Sequence, residues 1–186
     1  MKRLNVTACA LLAAAFAAAA EDAPAPPMMP EPQAEHAWLE QLAGEWTFTS
    51  EADMGPGVPP MKSEGTESVR VLGGFWLVAE GQTEAFGQPM TTILTLGYDA
   101  SEAHYTGSWI GSCMDQMWVY EGALNEDKTE LALMTEGPNM IDPSVTAKYK
   151  EVMKIVDEDH RTFTSYMQGE DGAWTAFVKS EYTRKK

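Results

Sequence analysis

Cysteine, histidine and positive charge are scarce in this chain, and each scarcity removes a class of protein. There are two cysteines, Cys9 and Cys113, so a disulfide-stapled scaffold is excluded. The three histidines, His36, His104 and His160, show none of the spacings that bring metal ligands together, and no metal site is expected. Lys and Arg total 13 against 28 Asp and Glu, a formal net charge of −15. Such a surface repels phosphate backbones and anionic headgroups, which argues against nucleic acid and membrane-surface partners.

Catalytic motifs are missing as well. Gly107-Ser108-Trp109-Ile110-Gly111 has its serine in the wrong place for a nucleophile elbow. There is no His-Glu-x-x-His and no phosphate-cradling glycine loop. Asp157-Glu158-Asp159 lacks the alternating ligands and the glycine of a calcium loop. Cys113 with His104 is the one nucleophile pairing the sequence offers, and a small buried hydrophobe is the more ordinary role of a single cysteine. No catalytic residue is assigned, and the balance leans away from an enzyme.

Residues 1–20 have the form of a secretory signal peptide. Lys2 and Arg3 precede an apolar run from Ala8 to Ala20, and Ala18-Ala19-Ala20 offers a small-residue cleavage site. The run is about 13 residues against the roughly 20 needed to span a bilayer, so cleavage is expected rather than anchoring. Only eight residues precede Cys9 and the apolar run continues past it, which argues against lipidation. Removing Lys2 and Arg3 takes the 13 basic residues to 11; against 28 acidic ones the charge becomes −17. An exported protein, periplasmic or extracellular, would then carry Cys113 alone. Residues 21–32, rich in proline, read as an extended linker, and the folded domain is expected over 33–186.

The domain opens on a short amphipathic helix. Trp38, Leu39 and Leu42 fall on one face, and His36 and Glu40 on the other, which predicts an outward His36. From Gly44 the hydrophobic period changes to two. Strands are predicted at 45–52, 65–72, 75–85, 90–98, 104–110, 116–124, 129–135, 145–156, 161–168 and 174–184, with Gly, Asn, Asp and Pro between them. About eight to ten consecutive strands without intervening helices predict an all-β, antiparallel up-and-down sheet, closed into a barrel to remove its edges. One connection is long: residues 53–62 are rich in Gly, Pro and Met, the composition of a binding loop or lid.

His36-x-x-Leu39-x-x-Leu42-x-Gly44-x-Trp46, Leu72-Gly73-Gly74-x-Trp76, Gly97-Tyr98-Asp99, Tyr105-x-Gly107-x-Trp109 and Tyr182-Thr183-Arg184 resemble a bacterial family known as domain of unknown function 1579. The resemblance runs from Gln33 to Arg184 and implies a lipocalin-like, calycin-type β-barrel without a settled activity. Many of its members carry an aspartate where this chain has Gly111-Ser112.

In such a barrel Gly44, Trp46 and Arg184 are expected to form a structural latch, the guanidinium stacked on the indole, a contact worth about 0.5–2 kcal/mol. Alternation from Trp46 and Arg184 then turns Phe48, Trp174, Ala176, Val178, Ser180 and Tyr182 inward. Tyr105, Trp109, Trp118, Tyr120, Trp174 and Tyr182 are the candidate ligand-binding residues. Lys148, Lys150 and Lys154 alternate onto the outer face, and Arg70 alone is a candidate to reach inside. A small, neutral, apolar ligand is therefore expected and no cofactor. Two alternatives stand beside this reading. One is a haem-binding barrel, enzymatic or sensing, with His160 or His104 as axial ligand; the other is a structural or interaction module with a filled core.

Overall fold

Alternation and turn residues dominate the chain after Gly44, and they close it on itself. The computed structural model describes residues 29–85, 87–140 and 142–186. The leader at 1–20 and most of the proline-rich segment lie outside the described residues. From Pro32 onward the chain forms one compact unit. Among the described residues it holds a single helix, α1 (Ala34–Glu40), and ten strands: β1 (Gly44–Ala52), β2 (Met61–Leu72), β3 (Trp76–Ala85), β4 (Gln88–Asp99), β5 (His104–Gly111), β6 (Trp118–Leu124), β7 (Glu130–Pro138), β8 (Thr146–Ile155), β9 (His160–Gln168) and β10 (Trp174–Arg184). Each strand pairs antiparallel with the next, and β10 pairs with β1, so the barrel is closed. Closure leaves no row of unpaired backbone groups for another chain to template on.

Strand boundaries differ from the sequence expectation mainly at β2 and β7. β2 begins at Met61 because Ser63 and Lys62 continue the ladder against Ser50 and Glu51. That stretch is polar on both faces, so it carries no period-two signal. β7 runs on to Pro138, which ends the ladder opposite Thr146 and whose carbonyl accepts a hydrogen bond from the Tyr149 hydroxyl (2.6 Å).

The helix plugs one end. Trp38, Leu39 and Leu42 are buried against Val69, Leu77, Leu96, Tyr105, Leu131 and Leu133. Three hydrogen bonds fix it there. The Trp38 indole N–H donates to the Lys128 carbonyl (2.8 Å), the Tyr105 hydroxyl to the Glu35 carbonyl (2.8 Å), and the Trp46 indole N–H to the Leu42 carbonyl (2.9 Å). The expectation of an outward His36 is corrected. His36 is 4% exposed; its Nδ1 accepts the Gln33 backbone N–H (2.9 Å), and its ring meets Phe75 and Tyr98 edge-on. A helical wheel places a residue on a face, but first-turn residues also serve the unpaired backbone donors at a helix start.

Trp46 and Arg184 are direct partners across the β1–β10 seam. The Arg184 guanidinium lies 4.1 Å from the Trp46 ring centroid. Its three nitrogens donate to the carbonyls of Ala43, Gln41 and Glu158. Gly44 has φ +133°, and a Cβ there would come within 2.3 Å of Arg184 Nη1. Gly44→Ala therefore combines left-handed backbone strain with displacement of the guanidinium, and an unfolding free energy lower by about 2–3 kcal/mol is expected. Urea denaturation checks this as a shifted midpoint at unchanged slope.

Candidate functional site

Period-two alternation makes the inner wall legible strand by strand, because residues opposite each other in the register share a face. Trp46, Phe48 and Ser50 on β1 face Arg184, Tyr182 and Ser180 on β10, and Glu67, Gly65 and Ser63 on β2. Trp109 pairs with Trp118, Leu133 with Glu151, and Glu151 with Ser165. At the helix end the inner wall is sealed: Trp46, Leu77, Leu96, Tyr105, Leu131 and Leu133 are each 2% exposed or less. Away from it, inward-facing Phe48, Ser50, Leu94, Trp109, Trp118, Phe163 and Val178 all keep accessible surface. The loop over 53–60 lies at that same end, opposite the helix.

Of the six candidate ligand residues, Tyr105, Trp109, Trp118, Tyr120 and Tyr182 occupy inward positions. Tyr105 belongs to the floor, where its ring meets Trp38 and Tyr98. Trp174 is a correction. The β9–β10 ladder shifts register between Ala176 and Val178, with Phe177 as the extra residue. A bulge reverses the face of everything beyond it. Phe177 therefore takes the inward place, its ring 6.0 Å from that of Tyr149, while Trp174 and Ala176 turn outward. Outside, Trp174 and Tyr166 hold the Lys150 ammonium, at 4.9 and 4.6 Å from their ring centroids.

Charge inside the barrel also departs from expectation. Arg70 is exposed on the outer face, and the buried arginine is Arg161, 6% exposed. Its Nη2 donates to the Glu67 carboxylate, and its guanidinium lies 4.0 Å from the Tyr182 ring centroid and 4.7 Å from that of Trp46. Arg161 Nε is buried without a hydrogen-bond partner among the described residues. Glu151 is 7% exposed and accepts a hydrogen bond from Ser165 Oγ. Burial pushes its carboxyl up to about 7, and the Ser165 hydroxyl pulls the other way. Burial also raises the Tyr120 and Tyr182 hydroxyls, with Glu151 adding to the first and Glu67 to the second. Arg161 and Glu67 went unread in the sequence, although each sits at an inward parity, and Glu151 was placed only by its alternation with the outward lysines of its strand. An isolated charge in an alternating strand carries no signal of its partner, and Glu67 and Arg161 are 94 residues apart.

The remaining candidates are dispersed. His104 opens β5 and Cys113 follows its end, so the two stand more than about 20 Å apart at ~3.3 Å per residue and form no catalytic pair. Cys113 is exposed, and its Sγ lies 3.4 Å from Met90 Sδ. His160 is exposed and hydrogen-bonded to Asp157 (2.8 Å), and both it and His104 occupy outward positions. Among the described residues no three His, Cys, Asp or Glu side chains gather as a metal would require.

These features define a closed ten-stranded up-and-down β-barrel, plugged at one end by a helix, with an aromatic and partly charged lumen. The chain belongs to the family described as protein of unknown function DUF1579, whose model matches residues 31–184. A comparison with curated protein sequences found no match. Among solved structures the chain is similar to Rv2717c of M. tuberculosis (13% identity, TM-score 0.54, covering 84% of this chain and 100% of that one). It is also similar to the S-type phycobiliprotein lyase CPES of Guillardia theta (15% identity, TM-score 0.50, covering 83% and 94%). A redesigned β-barrel, mFAP0, solved bound to DFHBI, shows 13% identity and a TM-score of 0.41, covering 77% of this chain and 99% of that one. At these identities the likeness is one of fold.

Two consequences are measurable. The unfolded Glu151 carboxyl ionises near 4.5 and the folded one near 7, so the folded form holds the proton more tightly. Stability from this group is complete below pH 4.5 and is lost as pH rises through 7. Relative to Glu151→Gln, the wild type should lose about 3 kcal/mol between pH 4.5 and pH 8, read from denaturation at each pH. Arg161→Met leaves Glu67 buried without its cation and should lower stability by about 3–5 kcal/mol; adding Glu67→Gln should restore part of that loss.

Proposed function

We propose that this protein is an exported, non-enzymatic barrel that binds a small hydrophobic molecule in its lumen, entered at the end opposite the helix. The observation that carries the reading is the contrast within the inner wall. Apolar side chains at the helix end are fully covered, whereas inward-facing Phe48, Leu94, Trp109, Trp118 and Phe163 keep accessible surface. Apolar area that faces into the barrel and is only partly covered favours an apolar guest at about 25 cal/mol per Å² covered. Small-ligand sites are characteristically concave, mostly apolar and furnished with a few polar groups.

Charge supports a body without a carboxylate. The inward arginine, Arg161, is already engaged by Glu67, and Arg184 is committed to the carbonyls of Ala43, Gln41 and Glu158. An anionic ligand would therefore enter without a free cation, past a surface of net charge −15. A neutral apolar body meets no such penalty. The segment over 53–60, at the open rim, is suited to act as a lid.

Native mass spectrometry of the protein purified from its producing cells, with denaturing extraction of anything bound, tests this. A reproducible extra mass of a small apolar compound is expected, together with tryptophan quenching by apolar probes that is reduced in Trp109→Phe. A clean unliganded mass with no quenching by any apolar probe or by haem would leave the filled-core interaction module. A Soret band on haem addition that His160→Ala or His104→Ala abolishes would replace this reading with the haem barrel.

A further inference from the structure

Among the described residues Glu151 is a buried carboxyl without a cation. It is 7% exposed, and among the described residues its only hydrogen bond is the one donated by Ser165 Oγ. The lysines of its own strand, Lys148, Lys150 and Lys154, alternate to the outside, Lys150 onto Tyr166 and Trp174 and Lys154 onto Glu130. Arg161 stands two ladder steps away: Glu151 pairs with Ser165 and Ile155 with Arg161, about 13 Å along the strand. It is also spoken for by Glu67. The flanking strand β7 brings only Leu131, Leu133 and Thr135 to this level, and β9 brings Phe163 and Ser165. The titratable groups that face it are Tyr149 on its own strand and Tyr120 on β6, both felt electrostatically, with Tyr182 and Glu67 further along the lumen.

A lone carboxyl in an apolar interior is destabilising unless it is neutralised or paired, because transfer from water disfavours its charged form. Around it stand electron-rich rings. Tyr149 packs edge-on to Trp118 (5.1 Å between centroids), and Tyr120 is buried and close enough for its hydroxyl to feel the Glu151 charge. A carboxylate with aromatic rings beside it is the chemistry that receives an organic cation. The net charge of −15 would concentrate cations at the mouth.

We infer that the hydrophobic ligand of this lumen ends in a basic nitrogen, bound as an ammonium by the Glu151 carboxylate with Tyr120, Tyr149 and Trp118 around it. This rests on the reading of the lumen as a ligand site and specifies the head group of the guest. The proton lost from Glu151 on pairing goes to solvent, so the complex holds one proton between carboxylate and amine.

A matched series of straight-chain decyl compounds, the primary amine, the alcohol and the carboxylate, tests it by quenching of tryptophan fluorescence and by calorimetry. The amine is expected to bind at least tenfold more tightly than the alcohol, and the carboxylate more weakly than either. In Glu151→Gln that preference should vanish while alcohol affinity stays unchanged, which separates the lumen from attraction to the acidic surface. In the wild type, amine affinity should rise about tenfold per pH unit up to about pH 7 and then level off, since pairing expels one proton below that point. This second measurement holds even where the variant does not fold. Equal binding of amine and alcohol, or a flat pH profile, overturns the inference and leaves the apolar site standing. Binding of none of the three overturns the site as well.

Discussion

The seam between β1 and β10 is the constraint on which the rest of the barrel depends. Without it the ten strands are an open sheet with two edges and no enclosed side. The pairing of Trp46 with Arg184 sits at the helix end of that seam, and the guanidinium reaches beyond the pair to carbonyls of Gln41, Ala43 and Glu158. One side chain thereby ties three parts together: the helix exit, the closing strand and the β8–β9 turn. The second guanidinium, that of Arg161, also lies near Trp46, so two cations contact the one indole. The floor of the lumen is thus built from charge on aromatic faces as much as from the leucines above the helix.

Inside the wall the charges fall into two zones with different logic. Near the floor Arg161 and Glu67 cancel each other, and the exchange of water for a partner is complete except at Arg161 Nε. Halfway up, Glu151 has a hydroxyl for company and, among the described residues, no cation, and burial holds its proton toward neutral pH against the pull of that hydroxyl. The outer surface does the opposite: its lysines find aromatic or carboxylate partners at exposed positions, where each pair contributes little. The barrel thus turns the β8 lysines outward, engages Arg161 with Glu67, and keeps the Glu151 carboxyl within.

Much of this was legible in the residues themselves, and the reasons differ from element to element. The change of period at Gly44, the turn residues between apolar stretches, and the Gly-x-Trp opening answered by a closing arginine all encode local geometry, which neighbouring residues suffice to specify. The tryptophan pair Trp109 and Trp118 could be placed inward for the same reason. Trp174 could not, because the bulge at Phe177 arises from the pairing of β10 with β9, and one extra residue inverts the alternation. His36 was misplaced because hydrogen bonding at the helix start outweighed the wheel.

What the sequence determined by itself is the class of object: ten alternating strands, a capping helix, an aromatic content that must be enclosed, and an acidic exterior. Periodicity, turn chemistry and net charge are properties of neighbours along the chain, and they survive without knowledge of the fold. What only the tertiary structure decided is which charges share the interior. Glu67 meets Arg161 across 94 residues, and Glu151 meets Ser165, acts on the hydroxyls of two tyrosines and, among the described residues, has no basic group beside it. Those relations depend on register and closure, long-range quantities in which a single bulge moves a side chain from the lumen to the solvent.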